Sequence, residues 1–291
     1  MALLLAHYGN DKHQPSIYYD GVFGVSSTIN VVKSVREIWW SGSRKEAHNV
    51  TKHSYVGNFE YSMLSHDLVE INELLAEPLK VLYPKLLIVV DYGYFKLFNK
   101  DVTEILKYLS IFWNAVNLRY SKLSTPRVNI VITGVIIEHD EYGLRYIYES
   151  RNPLNMSQLD LQIFLSKAGE YFSGEDFARD SRKFGNFDSV ITISSLETGR
   201  IKGQALIGEV CSKRFNTAFV KDRGNFDGIQ VAVHELGHLL NMPHDGENDA
   251  YHCGPDSYSN NVSTHMAAVN GFAERYVWSK CSEKILEKFS W

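Results

Sequence analysis

Five consecutive apolar residues, Leu86 to Val90, open the part of the chain whose pattern is regular. A run this short, rich in β-branched residues, predicts a strand buried on both faces. The period then changes. Val102, Ile105, Leu106, Leu109, Phe112, Trp113, Val116 and Leu118 recur at three- and four-residue steps, as on a helix with one face against a core. The alternation repeats: a second buried strand over 128–137, a helix over 156–172 and a third strand over 189–193. Short strands are predicted at Ala205–Val210 and Thr217–Val220. The stretch 227–240 reads as a helix with Ile229, Ala232, Val233, Leu236 and Leu240 on one face and Asp227 as its N-cap. A last short helix covers 282–289. Strands alternating with helices predict an α/β fold on a mostly parallel twisted sheet.

Residues 1–82 show no comparable regularity and read as an irregular N-terminal region. Their aromatic residues, among them Tyr18, Tyr19, Trp39 and Trp40, predict that this region packs against something. The boundary that follows separates 1–82 from 83–291.

The 291 residues are 44% apolar and 22% charged, a composition that excludes a disordered chain. The net charge of −4 supplies no basic excess for phosphate backbones, so nucleic acid is not expected as a partner. No stretch approaches the roughly 18 apolar residues of a membrane span. The opening run Ala2–Ala6 is shorter than a signal-peptide core, so the start is read as incomplete. Three cysteines, Cys211, Cys253 and Cys281, leave at least one without an intramolecular partner. Three glycosylation triplets begin at Asn49, Asn155 and Asn261.

The chemistry concentrates at residues 234–245, HELGHLLNMPHD. His234 and His238, four apart on a helix, project from one face. Two imidazoles so placed suit one tetrahedral ion at ~2.0–2.1 Å. Glu235 beside them can take a proton from water held there. His244 supplies a third imidazole if the helix stops sharply near residue 241. Asn241 is a residue type that tolerates the left-handed conformation such a stop requires, and Pro243 blocks continuation. Three histidines with one open position form a catalytic zinc arrangement.

This stretch resembles the extended zinc signature of the metzincin metallopeptidases, and Asp245 after the third histidine resembles the adamalysin (reprolysin) branch. That branch includes ADAM and ADAMTS enzymes and secreted metalloproteases of arthropod saliva and venom. VVDYGYF near residue 90, FWNAVNLRY at 112–120, GQALIGEVC ending at Cys211 and WSKCSEKILEKF near the end resemble it too. Asn241 stands where the family usually has Gly, as it does in the ADAMTS branch.

The resemblance implies a metzincin-like catalytic domain over 83–291, preceded by a pro-segment-like region over 1–82. It implies one catalytic Zn2+ on His234, His238 and His244, Glu235 as general base, and a methionine turn at Met266 padding the floor. His265 beside it is read as a surface or turn residue, and His139 and His252 as solvated. It also implies a disulfide between Cys211 and Cys281. The family's second bridge would join Cys253 to position 264, which is Thr264 here, so Cys253 is left free or paired elsewhere. Lys85 and Lys284 replace the residues of the family's calcium site, so structural calcium is not expected. Residues 1–210 hold no cysteine for a thiol latency switch.

The implied activity is a secreted, monomeric zinc endopeptidase acting on protein or peptide substrates. An extended substrate would pair with the strand at Ala205–Val210, and a primed-side pocket would lie by Ala267–Val269. Two rival readings remain. One is a catalytically inert metal-binding toxin or ligand-blocking scaffold, against which Glu235 is retained. The other is a different zinc peptidase clan using Glu247 or Glu274 as third ligand, against which His244, Asp245 and Met266 stand.

Overall fold

A computed structural model describes the backbone of 3–11, 14–25, 28–33, 49–54 and 275, and backbone with side chains for 81–175, 177, 186–254, 262–268 and 276–289. Trp39, Trp40, Asn261, Val269 and Glu274 lie outside the described residues.

Four strands form in the N-terminal region: β1 (Leu3–Asp11), β2 (Gln14–Val25), β3 (Thr28–Lys33) and β4 (Asn49–Ser54). The next are β5 (Val81–Leu82), β6 (Lys85–Val90), β7 (Arg127–Val128), β8 (Val131–Glu138), β9 (Arg151–Asn152) and β10 (Asn155–Leu159). Then come β11 (Ser189–Ser194), β12 (Gly203–Ala205), β13 (Thr217–Lys221), β14 (Val262–Thr264) and β15 (Arg275–Val277). The described α-helices are α1 (Tyr92–Leu97), α2 (Val102–Tyr120), α3 (Arg145–Glu149), α4 (Leu161–Ser173), α5 (Ile229–Leu239) and α6 (Lys280–Phe289).

The main sheet runs β12-β13-β11-β6-β8-β1-β2-β3-β4. Its centre, β13-β11-β6-β8-β1, is parallel. The edge strand β12 and the strands beyond β1 pair antiparallel. The region expected to be irregular therefore supplies four strands of the same sheet. Ile17, Tyr18, Tyr19, Val22 and Phe23 of β2 are strand-favouring residues that pair locally with β1 and β3, whereas β1, which joins these strands to β8, pairs more than a hundred residues away and leaves no local signature.

Alternate residues of β6 face opposite layers. Leu86, Ile88 and Val90 pack with α2 and α5, while Leu87 and Val89 pack with Leu161, Phe164 and Ala168 of α4. Burial on both faces is why β6 reads as a continuous apolar run. Aspartates start three helices by accepting backbone N–H groups: Asp91 for α1, Asp101 for α2 and Asp160 for α4.

Three local expectations are corrected. The helix predicted from 156 begins at Leu161, because Asp160 accepts from the N–H groups of Gln162 and Ile163 at 3.0 and 3.1 Å. Residues 155–159 form β10 instead. The strand predicted over Ala205–Val210 is β12, Gly203–Ala205, after which the chain turns at Gly208 with φ +79°. Asp227 does not cap α5. Its Oδ1 accepts from the Arg223 N–H, and Gly228 occupies the cap position without a side-chain bond.

The disulfide is also corrected. Cys253 pairs with Cys281, and Cys211 is free and exposed. A 3₁₀ turn, Asn248–Cys253, packs against α6 and brings the two Cα atoms to 6.2 Å, within the range a bridge spans. Burial, with a contribution from Asp188, raises the pKa of the unpaired Cys211 thiol.

Candidate metal centre

Helix α5 is buried from its third residue on, with every residue from Val231 to Leu239 enclosed. Its C-terminus ends in a double hydrogen-bonded turn. The Asn241 N–H donates to the His238 carbonyl at 2.8 Å, and the Met242 N–H donates to the Gly237 carbonyl at 2.9 Å. Asn241 has φ +72°, the left-handed conformation this motif requires. Pro243 follows, and the chain doubles back to place His244 against the helix face that carries His234 and His238.

The three imidazoles converge. His244 Nε2 lies 3.1 Å from His234 Nε2 and 3.2 Å from His238 Nε2. Tetrahedral ligands at ~2.0–2.1 Å from an ion stand roughly 3.3–3.4 Å apart, so the spacing suits zinc. The outer nitrogens fix the tautomers. His234 Nδ1 donates to the His265 carbonyl at 2.8 Å, and His238 Nδ1 to the Met242 carbonyl at 2.8 Å. His244 Nδ1 donates to Glu247 Oε2 at 3.2 Å. Each proton sits on the far side, so three Nε2 lone pairs face one point, where only a cation relieves their repulsion. Burial lowers the pKa of His234 to about 4 and of His238 to about 3. Both are neutral, the ligating form, at physiological pH.

Glu235 is buried, and its Oε2 has no hydrogen-bond partner. Burial raises its pKa well above the carboxylate range. An orphaned carboxylate oxygen next to a three-nitrogen cluster is costly unless a cation offsets it. The donor set and this oxygen therefore fit a divalent metal. Gly203 of β12 makes the space for Glu235: a Cβ at 203 would lie 2.5 Å from Glu235 Oε1 and 2.5 Å from Val231 Cγ1.

The roles of His265, Glu247 and Tyr120 escaped the sequence, whereas Asp245 and Met266 are singled out there. His265, read as a surface or turn residue, lies in a turn and is buried. Its ring donates to Gln230 Oε1 at 3.0 Å and packs on Trp278, while its carbonyl orients His234. Glu247, a rival ligand by sequence, orients His244 instead. Asp245 is buried and accepts from Ser279 Oγ at 2.6 Å, tying the His244 turn to the start of α6. Met266 is fully buried beneath Gly237. Tyr120 OH donates to the Val233 carbonyl at 2.8 Å and braces α5 from α2. Of two histidines read as solvated, His139 is half-buried and stacks on Phe95 at 4.2 Å, while His252 is exposed, with its ring 3.6 Å from that of Tyr251.

No helix among the described residues is long and apolar enough to cross a membrane. A family model described as Reprolysin (M12B) family zinc metalloprotease matches residues 82–291. Venom metalloproteinase 3 of Eulophus pennicornis is 35% identical over 279 residues, covering 94% of this chain and 65% of its own. Venom metalloproteinase 2 of the same organism is 39% identical over 202 residues, covering 68% and 48%. A Bombyx mori protein named A disintegrin and metalloproteinase with thrombospondin motifs like is 31% identical over 229 residues, covering 72% and 32%. The chain thus spans less than two thirds of the length of each of these relatives.

Proposed function

The chain belongs to the reprolysin (M12B) family of zinc metalloproteases, and on that premise we propose that it is an endopeptidase hydrolysing internal peptide bonds of protein substrates. In this reading His234, His238 and His244 hold the zinc ion and Glu235 is the catalytic residue. The convergence of the three imidazole nitrogens beside a buried carboxylate whose Oε2 has no hydrogen-bond partner supports it most directly.

Bound zinc supplies Lewis acidity, drawing electron density from the scissile carbonyl and making water a stronger acid. A cation at the imidazoles also favours the ionised form of Glu235 over the neutral form that burial alone favours. Glu235 then takes a proton from the attacking water and returns it to the departing amine nitrogen. The peptide C–N bond breaks, and the water oxygen ends in the new carboxyl group. Proton transfer of this kind contributes roughly 10²–10⁴-fold. An extended substrate would add to the edge strand β12, beside the exposed Leu206 and Ile207. Met266 serves as the methionine turn under the ligands. Residues 83–291 carry the catalysis, 1–82 act as a pro-segment-like region, and the venom relatives support a secreted protein.

The test compares the chain with its Glu235→Gln variant for zinc content and for cleavage of a quenched peptide library. Bound zinc in both, with cleavage at least ~10²-fold faster in the parent, is expected. Equal rates, absence of zinc from the parent, or zinc without cleavage even after removal of 1–82 would overturn the reading.

A further inference from the structure

The β9–β10 hairpin turns through Pro153 and Leu154, with Asn152 opposite Asn155. Pairing then lapses until Leu159 meets Arg151. The hairpin is anchored on its other side: the Glu197 N–H donates to the Ser157 carbonyl at 3.1 Å, and the Leu159 N–H donates to the Glu197 carbonyl at 2.8 Å. Asn155, Met156 and Ser157 are all exposed on this fixed support.

The Asn155 side chain has a defined orientation. Its Oδ1 accepts from the Ser157 N–H at 3.3 Å and from Ser157 Oγ at 2.8 Å. A backbone N–H can meet only the oxygen of an amide, so the assignment of oxygen and nitrogen is forced. The two bonds hold Oδ1 toward the chain, and Nδ2 has no hydrogen-bond partner among the described residues. Two exposed apolar side chains flank it, Leu154 at 97% and Met156 at 42% exposure.

We propose that Asn155 is a site of N-linked glycosylation. Asn155-Met156-Ser157 is an acceptor triplet without proline at its centre, and its geometry presents the atom that must react. The donor is a lipid-pyrophosphate-linked oligosaccharide of the secretory pathway. A bond forms between Nδ2 and the anomeric carbon, the bond from that carbon to the pyrophosphate oxygen breaks, and Nδ2 gives up one proton as the lipid pyrophosphate leaves. The first sugars would then stand over Leu154 and Met156, two exposed apolar side chains. Of the three triplets, this is the one whose side chains the structure describes.

The inference rests on the secreted reading, and its test is arranged to be independent of peptidase activity. The chain is expressed in insect cells behind a heterologous leader and recovered from the medium, or from the microsomal fraction if none is released. Enzymatic deglycosylation in ¹⁸O water, followed by peptide mass spectrometry, reads occupancy at Asn155 separately from Asn49 and Asn261. The expected result is a glycan on the Asn155 peptide, retained in Ser157→Thr and lost, with one glycan's mass, in both Ser157→Ala and Asn155→Gln. An unmodified Asn155 peptide in the recovered parent overturns the proposal, whatever the state of the other two triplets. So does a glycan whose occupancy is unchanged by Ser157→Ala.

Discussion

Gly237 sits directly against the sulfur of Met266: a Cβ at residue 237 would lie 2.5 Å from Sδ and 3.2 Å from Cε. Both residues are fully enclosed, so the thioether has nowhere to move. This contact joins the middle of α5, between His234 and His238, to the turn whose carbonyl orients His234. Gly237→Ala gains about 1 kcal/mol of helix propensity and loses ~1–3 kcal/mol to overpacking. The expected outcome is net destabilisation in the parent and stabilisation in a Met266→Ala background. Urea unfolding of the four proteins in this cycle measures it, and the same sign in both backgrounds would remove the contact as the cause.

Gly203 stands to Glu235 as Gly237 stands to Met266. Added bulk at 203 falls on Oε1 and Cγ of Glu235. Displacing a reacting group by about 1 Å costs up to ~10²-fold in rate. Gly203→Ala is therefore expected to lower kcat by ten- to a hundredfold while zinc content stays that of the parent, because the atoms nearest the added Cβ belong to Glu235 and Val231 and not to the three histidines. Steady-state kinetics on a peptide substrate with parallel zinc analysis decide this. Loss of zinc along with activity would mean that the strand, not the carboxylate, had moved.

What the sequence made legible was local. The i, i+4 histidines, the left-handed Asn241 and the return to His244 all lie within eleven residues, and helix geometry alone connects them. Buried strands such as Leu86–Val90 announced themselves because both faces are covered. What stayed hidden depends on distant partners. The burial of His265 is set by Gln230 and Trp278, the need for glycine at 203 by a carboxylate 32 residues on, and the joining of the N-terminal strands to the main sheet by the pairing of β1 with β8. The cysteine pairing failed for a related reason: a family pattern was extended to a chain lacking one of its cysteines, whereas the packing of α6 on the 3₁₀ turn decides which sulfurs meet.

That pairing has its own consequence. A bridge between residues separated by 28 positions closes a loop worth ~3–4 kcal/mol in the chain-entropy account. Cys253→Ser and Cys281→Ser should each reduce stability by a similar amount, and Cys211→Ser should leave it near the parent value. Non-reducing peptide mapping is expected to recover a Cys253–Cys281 linked pair and a free thiol at Cys211. A linked Cys211–Cys281 pair would refute this packing of the C-terminal helix.

Glu138, at the end of β8, should make the fold weaken as pH rises. Its carboxyl is buried: Oε1 accepts from the Asp140 N–H at 2.7 Å, Oε2 has no partner, and Gly143 lies against the group. Burial raises its pKa from 4.5 to about 7, against the backbone N–H groups of Asp140 and His139, which lower it, and with smaller raising contributions from the Asp140 and Asp91 charges. Below about pH 4.5 the group is protonated in both folded and unfolded chains and contributes no difference. Between about 4.5 and 7 the folded state holds the extra proton, so stability falls with rising pH. Above about 7 the full penalty, at most ~3 kcal/mol, is present. Glu138→Gln cannot titrate and escapes this decline. Relative to the parent it should gain stability from pH 5 to about pH 7 and level off above that, a difference in which the effects of zinc and of other buried acids cancel. Denaturant unfolding of both proteins across that range tests the assignment, and parallel pH profiles would show that Glu138 is already ionised in the folded chain.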